Sequence, residues 1–486
     1  MAGIPGIGSG IDIKSIVDVL VNSERAPKTN QLDRLEKETV TRISAVGTLA
    51  GALNTFKTAV DSLNKSSLFE ARTASTSNGG VLKATASSTA PAGSYNVQVQ
   101  QLATSSKVAL QSVAGGSTAT FNSGTLEISA GSTSISVEVT AANNTLAGMR
   151  DAINEAGKNS GISASIITDD SGSRLVLSST KTGQGNDLSV VVSQDGVTTG
   201  DNLLTTQAFA PTADPDNVGA FLKPDSTTGA GGVIAQAKSA KLTIDGLQVE
   251  RSSNRIDDAL EGVTLDLVAA QNSTELADGK TISLNVGVDK GSVKSSLQKF
   301  VDAYNALIST TSQLTAFVPV DGSTPVTGPL FGDTSVRSLL SGMRNELVSA
   351  PGQTSGIQAL AQLGIATGKD GKLSLDDTKL TTALDNNFEQ VGAYLAGDKG
   401  LMGRLSSFTS GYVATDGVLK QRNDALQVTK QDVDKQRKAL NERIESLEKR
   451  LYSQYNAMDS LVGQLKRTSE SLGGMLANLP GFVKKD

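Results

Sequence analysis

Apolar residues recur in heptads at both ends of this chain and not in the long stretch between them. Toward the N-terminus, Leu32, Leu35, Val46, Leu49, Leu53, Phe56, Val60 and Leu63 share one a/d frame. Toward the C-terminus, Leu426, Val433, Leu440, Ile444, Leu447, Leu451, Met458, Leu461, Leu465, Leu472 and Met475 share another. A 3.5-residue apolar repeat makes a narrow stripe that a second helix must cover. Two such helices from opposite ends can pair only if everything between them folds out as an inserted body. The expected fold is α+β and multidomain. N- and C-terminal helices form a coiled-coil leg and stem, and two inserted β-rich domains form the head.

The stripes are imperfect. Thr39 and Arg42 interrupt the first, and Arg437, Gln454 and Thr468 the second. One polar seam residue specifies register, but several cost stability. Gly463, Gly473 and Gly474 weaken the end of the second segment and Pro480 stops it. The seams therefore predict legs that pair near the body and stay adaptable at their tips.

Within the 486 residues, the middle reads as strands. Alternation marks Ser94–Val99 and Thr133–Val139, and strands resume at Ser163–Thr168, Arg174–Leu177 and Leu188–Val192. One helical face, Leu146, Met149 and Ile153, intervenes. Residues 198–236 read as loop, with Pro211, Pro215, Pro224 and the glycine-rich run ending at Gly232. A second set of strands follows at Lys241–Ile244, Leu247–Glu250, Val263–Leu267 and Ile282–Val288, and helical patterning returns after Asp289. Asp12 is a good N-cap for a short helix carrying Ile13, Ile16, Val17, Leu20 and Val21. Pro27 predicts a break near Ala26, before the first heptad segment.

The expected division is a terminal leg of 1–35 with 445–486 and a helical stem domain of 36–72 with 290–444. An inner β-rich domain follows of 73–104 with 236–289, and then an outer β-rich domain of 105–235.

Composition excludes much chemistry. There is no Cys and no His, which removes thiolate metal sites, disulfides and the commonest general base. A net charge of −5 argues against a nucleic-acid surface. No apolar run reaches the length of a membrane-spanning helix, and the N-terminus lacks the basic start and cleavage site of a secretory signal peptide. The loop Gly6–Gly10 follows no strand, so the context of a phosphate-binding loop fails. The acid pairs Asp169-Asp170, Asp257-Asp258 and Asp376-Asp377 lie in turn-like settings where Asp serves local hydrogen bonds. Asp214, Asp216 and Gly219 match a calcium loop only in part, because Val218 stands at a ligand position and Asp225 at the last. The chain is expected to be no enzyme, with no catalytic, cofactor-binding or metal-ligating residue and no cofactor.

Several segments together carry a resemblance. They are Ile7–Asp12 with the helix after it, Gly93–Ala103, and Leu146–Asn154 with Gly161–Ala164. Gly262–Leu265, Phe300–Leu307, Leu363–Ile365 and Asp370–Leu373 complete the set. In this order, along nearly the whole chain, they resemble the flagellar filament cap family, hook-associated protein 2. Phe300, Tyr304, Asn305 and Leu307 belong to the most specific block.

The resemblance implies a secreted protein, exported through the flagellar type III apparatus without a cleavable signal peptide to the distal tip of the flagellum. There a ring-like homo-oligomer promotes insertion of exported flagellin. The implied partners are a second copy of the chain, flagellin, the hook–filament junction protein before filament growth, and an export chaperone on the C-terminal region. Nucleic acid and membrane insertion are not expected. An alternative is an adhesin whose Ser/Thr-rich outer domain binds host glycans or mucus.

Overall fold

The computed structural model describes residue 10 and residues 12–196, 198–321, 324–349 and 356–477. Residues 1–9, Ile11 and Pro480, on which some of the expectations above fall, lie outside the described residues. The chain divides into two compact units, Met1–Phe69 with Lys290–Asp486, and Glu70–Asp289.

Two long helices dominate the first unit. The N-terminal helix spans Ile13–Leu63 and the C-terminal helix Val418–Ala477. At 60 residues the latter is roughly 90 Å long. Asp12 caps the former, its Oδ1 accepting the Ser15 N–H at 3.1 Å. Pro27 does not break it; the helix passes through unbroken. Pro27 lies on the exposed face, so the carbonyl that loses its donor has water to turn to, while Val21 and Leu32 on either side are buried. The expected leg–stem boundaries near residues 35 and 445 fall inside continuous helix.

Shorter helices complete this unit around the inner half of the N-terminal helix, chiefly Lys290–Leu314, Thr334–Val348, Asp377–Asn386, Phe388–Leu395 and Leu401–Val413. Val46, Leu49, Leu53, Phe56, Val60 and Leu63 are buried in their common core, not in a two-helix seam. Phe56 lies 5.6 Å from Phe300 and 5.8 Å, edge-on, from Tyr304. Leu307 is fully buried beside them. Asn305 joins the same helix to a small hairpin, Ile365–Thr367 with Leu373–Leu375. Its Nδ2 donates to the Leu373 carbonyl at 2.8 Å and its Oδ1 accepts the Leu373 N–H at 2.7 Å. A side-chain amide thus supplies the edge strand's missing neighbour.

The second unit holds two β-rich cores. The inner one pairs a five-stranded antiparallel sheet with a three-stranded one. The larger sheet runs Arg72–Thr76, Ile282–Val288, Gly93–Gln101, Ala240–Ile244, Leu247–Arg251. The smaller runs Arg255–Leu260, Val263–Leu267, Leu82–Ala86. Leu82, Val97, Val99, Leu242, Leu265 and Leu284 are fully buried between them. The strand Arg255–Leu260 went unread in the sequence because Asp257-Asp258 breaks its alternation, and a register shift accommodates them between Ile256 and Leu260.

The outer core combines a sheet ordered Gly232–Ala235, Ser105–Ala109, Gly172–Thr182, Ile162–Asp169 with another ordered Thr133–Val139, Gly124–Ala130, Leu188–Gln194. The helix Leu146–Gly157 buries Leu146, Met149 and Ile153 against them, capped by Thr145, whose Oγ1 accepts the Gly148 N–H at 3.0 Å. Asn154 grips Ala164 by its N–H (2.7 Å) and its carbonyl (3.0 Å).

Residues 198–236 are mostly irregular, yet the end of the glycine-rich run is not loop, since Gly232–Ala235 pairs with Ser105–Ala109. Arg174, almost wholly buried, organises this region. It pairs with Asp169 at 2.7 Å and donates to the carbonyls of Ala230 (3.1 Å) and Asp225 (3.2 Å).

Candidate functional site: the paired terminal helices

The N- and C-terminal helices run antiparallel. Glu24 pairs with Arg443, Arg25 with Asn441, and Asp33 and Glu36 both pair with Arg437, so one residue number rises as the other falls. The interruption at Arg437 is therefore a cross-helix ion pair to two acids, and its bond to Asp33 (2.8 Å) leads in holding the guanidinium above its ordinary pKa. A charged residue here fixes register, because a slip of one turn would separate it from both partners.

Toward the tip, Ile13, Val17, Val21 and Ile444 are buried together, with Leu440, Leu447, Leu451, Tyr452 and Tyr455 packed against them. The seam thus includes Ile13, Val17 and Val21, which the sequence reading assigned to a separate short helix. Their spacing of four residues was visible, but the expected break at Pro27 severed them from the stripe.

Further along the N-terminal helix, two expected seam residues and the two polar interruptions divide between buried and exposed. Leu32 is buried, as is Thr39, whose hydroxyl donates to the Leu35 carbonyl at 2.7 Å. Leu35 is 39% exposed and Arg42 is exposed. Between Leu32 and Val46 the row containing 32, 39 and 46 is covered and the row of Leu35 and Arg42 is not, because among the described residues the C-terminal helix alone lies against this stretch. From Val46 onward both heptad rows are buried, because other helices pack there too.

Beyond Tyr455 the C-terminal helix continues without a covering helix among the described residues. Ile13, the first helical residue of its partner, already packs within the Ile444–Tyr455 cluster. Met458, Leu461 (59%), Leu465 (62%), Leu472 and Met475 are exposed along this extension. Large apolar side chains thus repeat along one helical face that stays exposed among the described residues.

The acid pairs are engaged structurally. Asp258 binds Arg251 with both oxygens at 2.9 Å, Asp376 caps the helix Asp377–Asn386, and Asp377 pairs with Lys294 at 2.6 Å. A side-chain hydrogen bond from Ser171 and the nearby Arg174 hold Asp169 below the usual carboxylate range. Asp225 is held low by Thr228 and Thr227 in its own turn. Among the described residues no group of three or more Asp or Glu is gathered to hold a metal ion.

Comparison with known proteins places this architecture. The model of the flagellar hook-associated protein 2 C-terminus matches residues 237–467, that of its N-terminus residues 9–106, and the flagellin hook IN motif residues 125–181. The B-type flagellar hook-associated protein 2 of Pseudomonas aeruginosa is 44% identical over 489 residues, covering 100% of both chains. That of Escherichia coli K12 is 32% identical over 488 residues, covering 97% of each. The crystal structure of the flagellar cap protein FliD D1-D2-D3 domains from Escherichia coli superposes with a TM-score of 0.58 at 32% identity, covering 79% of this chain and 99% of that one. With relatives this similar along their full length, the chain belongs to the flagellar hook-associated protein 2 family.

Proposed function

We propose that this chain caps the distal end of a bacterial flagellar filament and promotes the ordered polymerisation of flagellin there. It is a structural protein, not an enzyme, and the adhesin reading finds no support among its relatives. The cap is an oligomer of copies of this chain at the extracellular tip. No helix among the described residues is long and apolar enough to cross a membrane.

The observation that carries the finer reading is the uncovered stripe from Met458 to Met475. In this reading it docks against helices of flagellin, and before filament growth against the hook–filament junction protein. During export the same C-terminal region is held by a chaperone, which hides the apolar face from other chains. Helix-on-helix docking through apolar positions at heptad spacing suits a partner that is itself helical at the contact.

The test uses a strain lacking its cap protein, complemented with the full chain or with the Leu461→Ser/Leu465→Ser variant. Both positions are solvent-facing, so the purified variant is expected to melt like the parent. Filaments should shorten or vanish, flagellin monomer should accumulate in the medium, and the variant itself should still be exported. Normal filaments on the variant would sink the assignment of the stripe.

A further inference from the structure

The outer β-rich core, roughly residues 105–235, is inserted into the inner one through two strand crossings. These touch where Thr104 and Lys238 exchange backbone hydrogen bonds at 2.9 and 3.1 Å. A connection of two crossings at one place is a swivel, because nothing off its axis resists rotation. The structure adds contacts around that crossing, all from one short segment of the outer core, and the one to Ser252 lies off the axis.

That segment follows the strand Gly172–Thr182. The Thr182 hydroxyl donates to the Ser252 carbonyl, on the inner core. The Gly183 N–H donates to the Lys238 carbonyl at 3.2 Å, and the Gln184 N–H to the Ser239 hydroxyl at 3.1 Å. Asp187 Oδ1 accepts the Ala237 N–H at 2.8 Å. From the inner side, Asn254 brackets Ala103 by its N–H (2.7 Å) and carbonyl (2.8 Å), and Gln101 donates to the Ser239 carbonyl at 2.7 Å.

Gly183 lies where nothing else fits. Its φ is +103°, and an added Cβ would stand 2.5 Å from the Ser252 Cβ and 2.9 Å from its Cα. Glycine is the residue that tolerates both the backbone geometry and the close approach.

We infer that residues 182–187 are a clasp that locks the inner and outer β-rich cores into one rigid plate, with no working hinge between them. The orientation of the outer core is then set by the fold of the single chain. Any adjustment the protein makes to a partner must come from outside this plate.

The chain has no cysteine, so spin labels can be placed without removing native thiols. Labels go on the exposed positions Gln248→Cys (inner) and Ser136→Cys (outer) of the full chain, and double electron–electron resonance reads their distance distribution. The parent should give a single narrow distribution, as narrow as a label pair confined to the inner core. Gly183→Val should at least double its width. Thr182→Val, which removes the hydroxyl without straining the backbone, should broaden it less. Because the second variant leaves every backbone bond intact, it keeps the test meaningful if the first fails to fold. A broad or bimodal distribution in the parent overturns the inference, as does an unchanged width in Thr182→Val with both cores folded by circular dichroism.

Discussion

Replacing Phe56 by alanine tests how the heptads of the N-terminal helix are used. Phe56 is fully buried, with Phe300 at 5.6 Å and Tyr304 at 5.8 Å. Truncating a buried Phe costs about 3–5 kcal/mol in lost transfer energy and cavity, and the two ring contacts place it toward the upper end. Phe56→Leu refills most of the volume and should cost about 1.5 kcal/mol. For a unit of this size, 4 kcal/mol corresponds to a fall in melting temperature of roughly 8–16 °C. Calorimetry on the full chain is the appropriate assay, since there is no Trp to report unfolding. Phe56 belongs to the helical unit's core, so only that unit's transition should move and the β-rich unit's should stay in place. If Phe56 instead sat in a two-helix seam, the loss would be small and confined to the helix ends. A change under about 1 kcal/mol, or an equal shift of both transitions, would refute the reasoning.

Two further outcomes follow from charged groups. Arg437→Gln should lower the urea midpoint of the helical unit modestly, and by less at high salt, because the ion pairs to Asp33 and Glu36 are partly exposed and screened; the same loss at both salt levels would exclude an electrostatic role. Burial holds the Asp187 carboxyl above its ordinary value of 3.8, which favours its neutral form in the folded protein. Below the ordinary value both folded and unfolded chains are protonated and nothing is lost. As pH rises through the raised folded value, the native state must carry a half-buried charge and loses stability. Asp187→Asn keeps an oxygen to accept the Ala237 N–H and removes that charge, so thermal melts should show it at least as stable as the parent at neutral pH and equal to it in acid. A variant less stable than the parent at neutral pH would contradict this.

Strands such as Thr133–Val139 and Leu188–Gln194 and the Leu146–Gly157 helix were legible because each depends on local pattern: β-rich runs, a shared apolar helical face, and turn residues between runs. Phe300 and Tyr304 were visible as members of a family block, but their work as ring partners of Phe56 was not, since the contact joins residues more than 240 positions apart. The irregular segment 198–236 offered no pattern because its anchor, Arg174, lies on a strand far back in the chain and reads from sequence as an ordinary surface charge.

The sequence by itself determined that two amphipathic helices would close the chain at both ends, that the middle would be β-rich, and that no His or Cys chemistry was available. Those properties are local or compositional, set by apolar spacing and by which side chains exist. Tertiary structure decided which heptad rows are used. Leu35 and Arg42 carry the same spacing as Leu49 and Phe56, but among the described residues the C-terminal helix alone lies against that part of the N-terminal helix, so their row faces water. It also decided that Pro27 is tolerated and that Arg437 finds two acids across the seam. The antiparallel register leaves the apolar stripe beyond Tyr455 uncovered among the described residues. Register between distant segments is a property of the pair, and no single segment's spacing contains it.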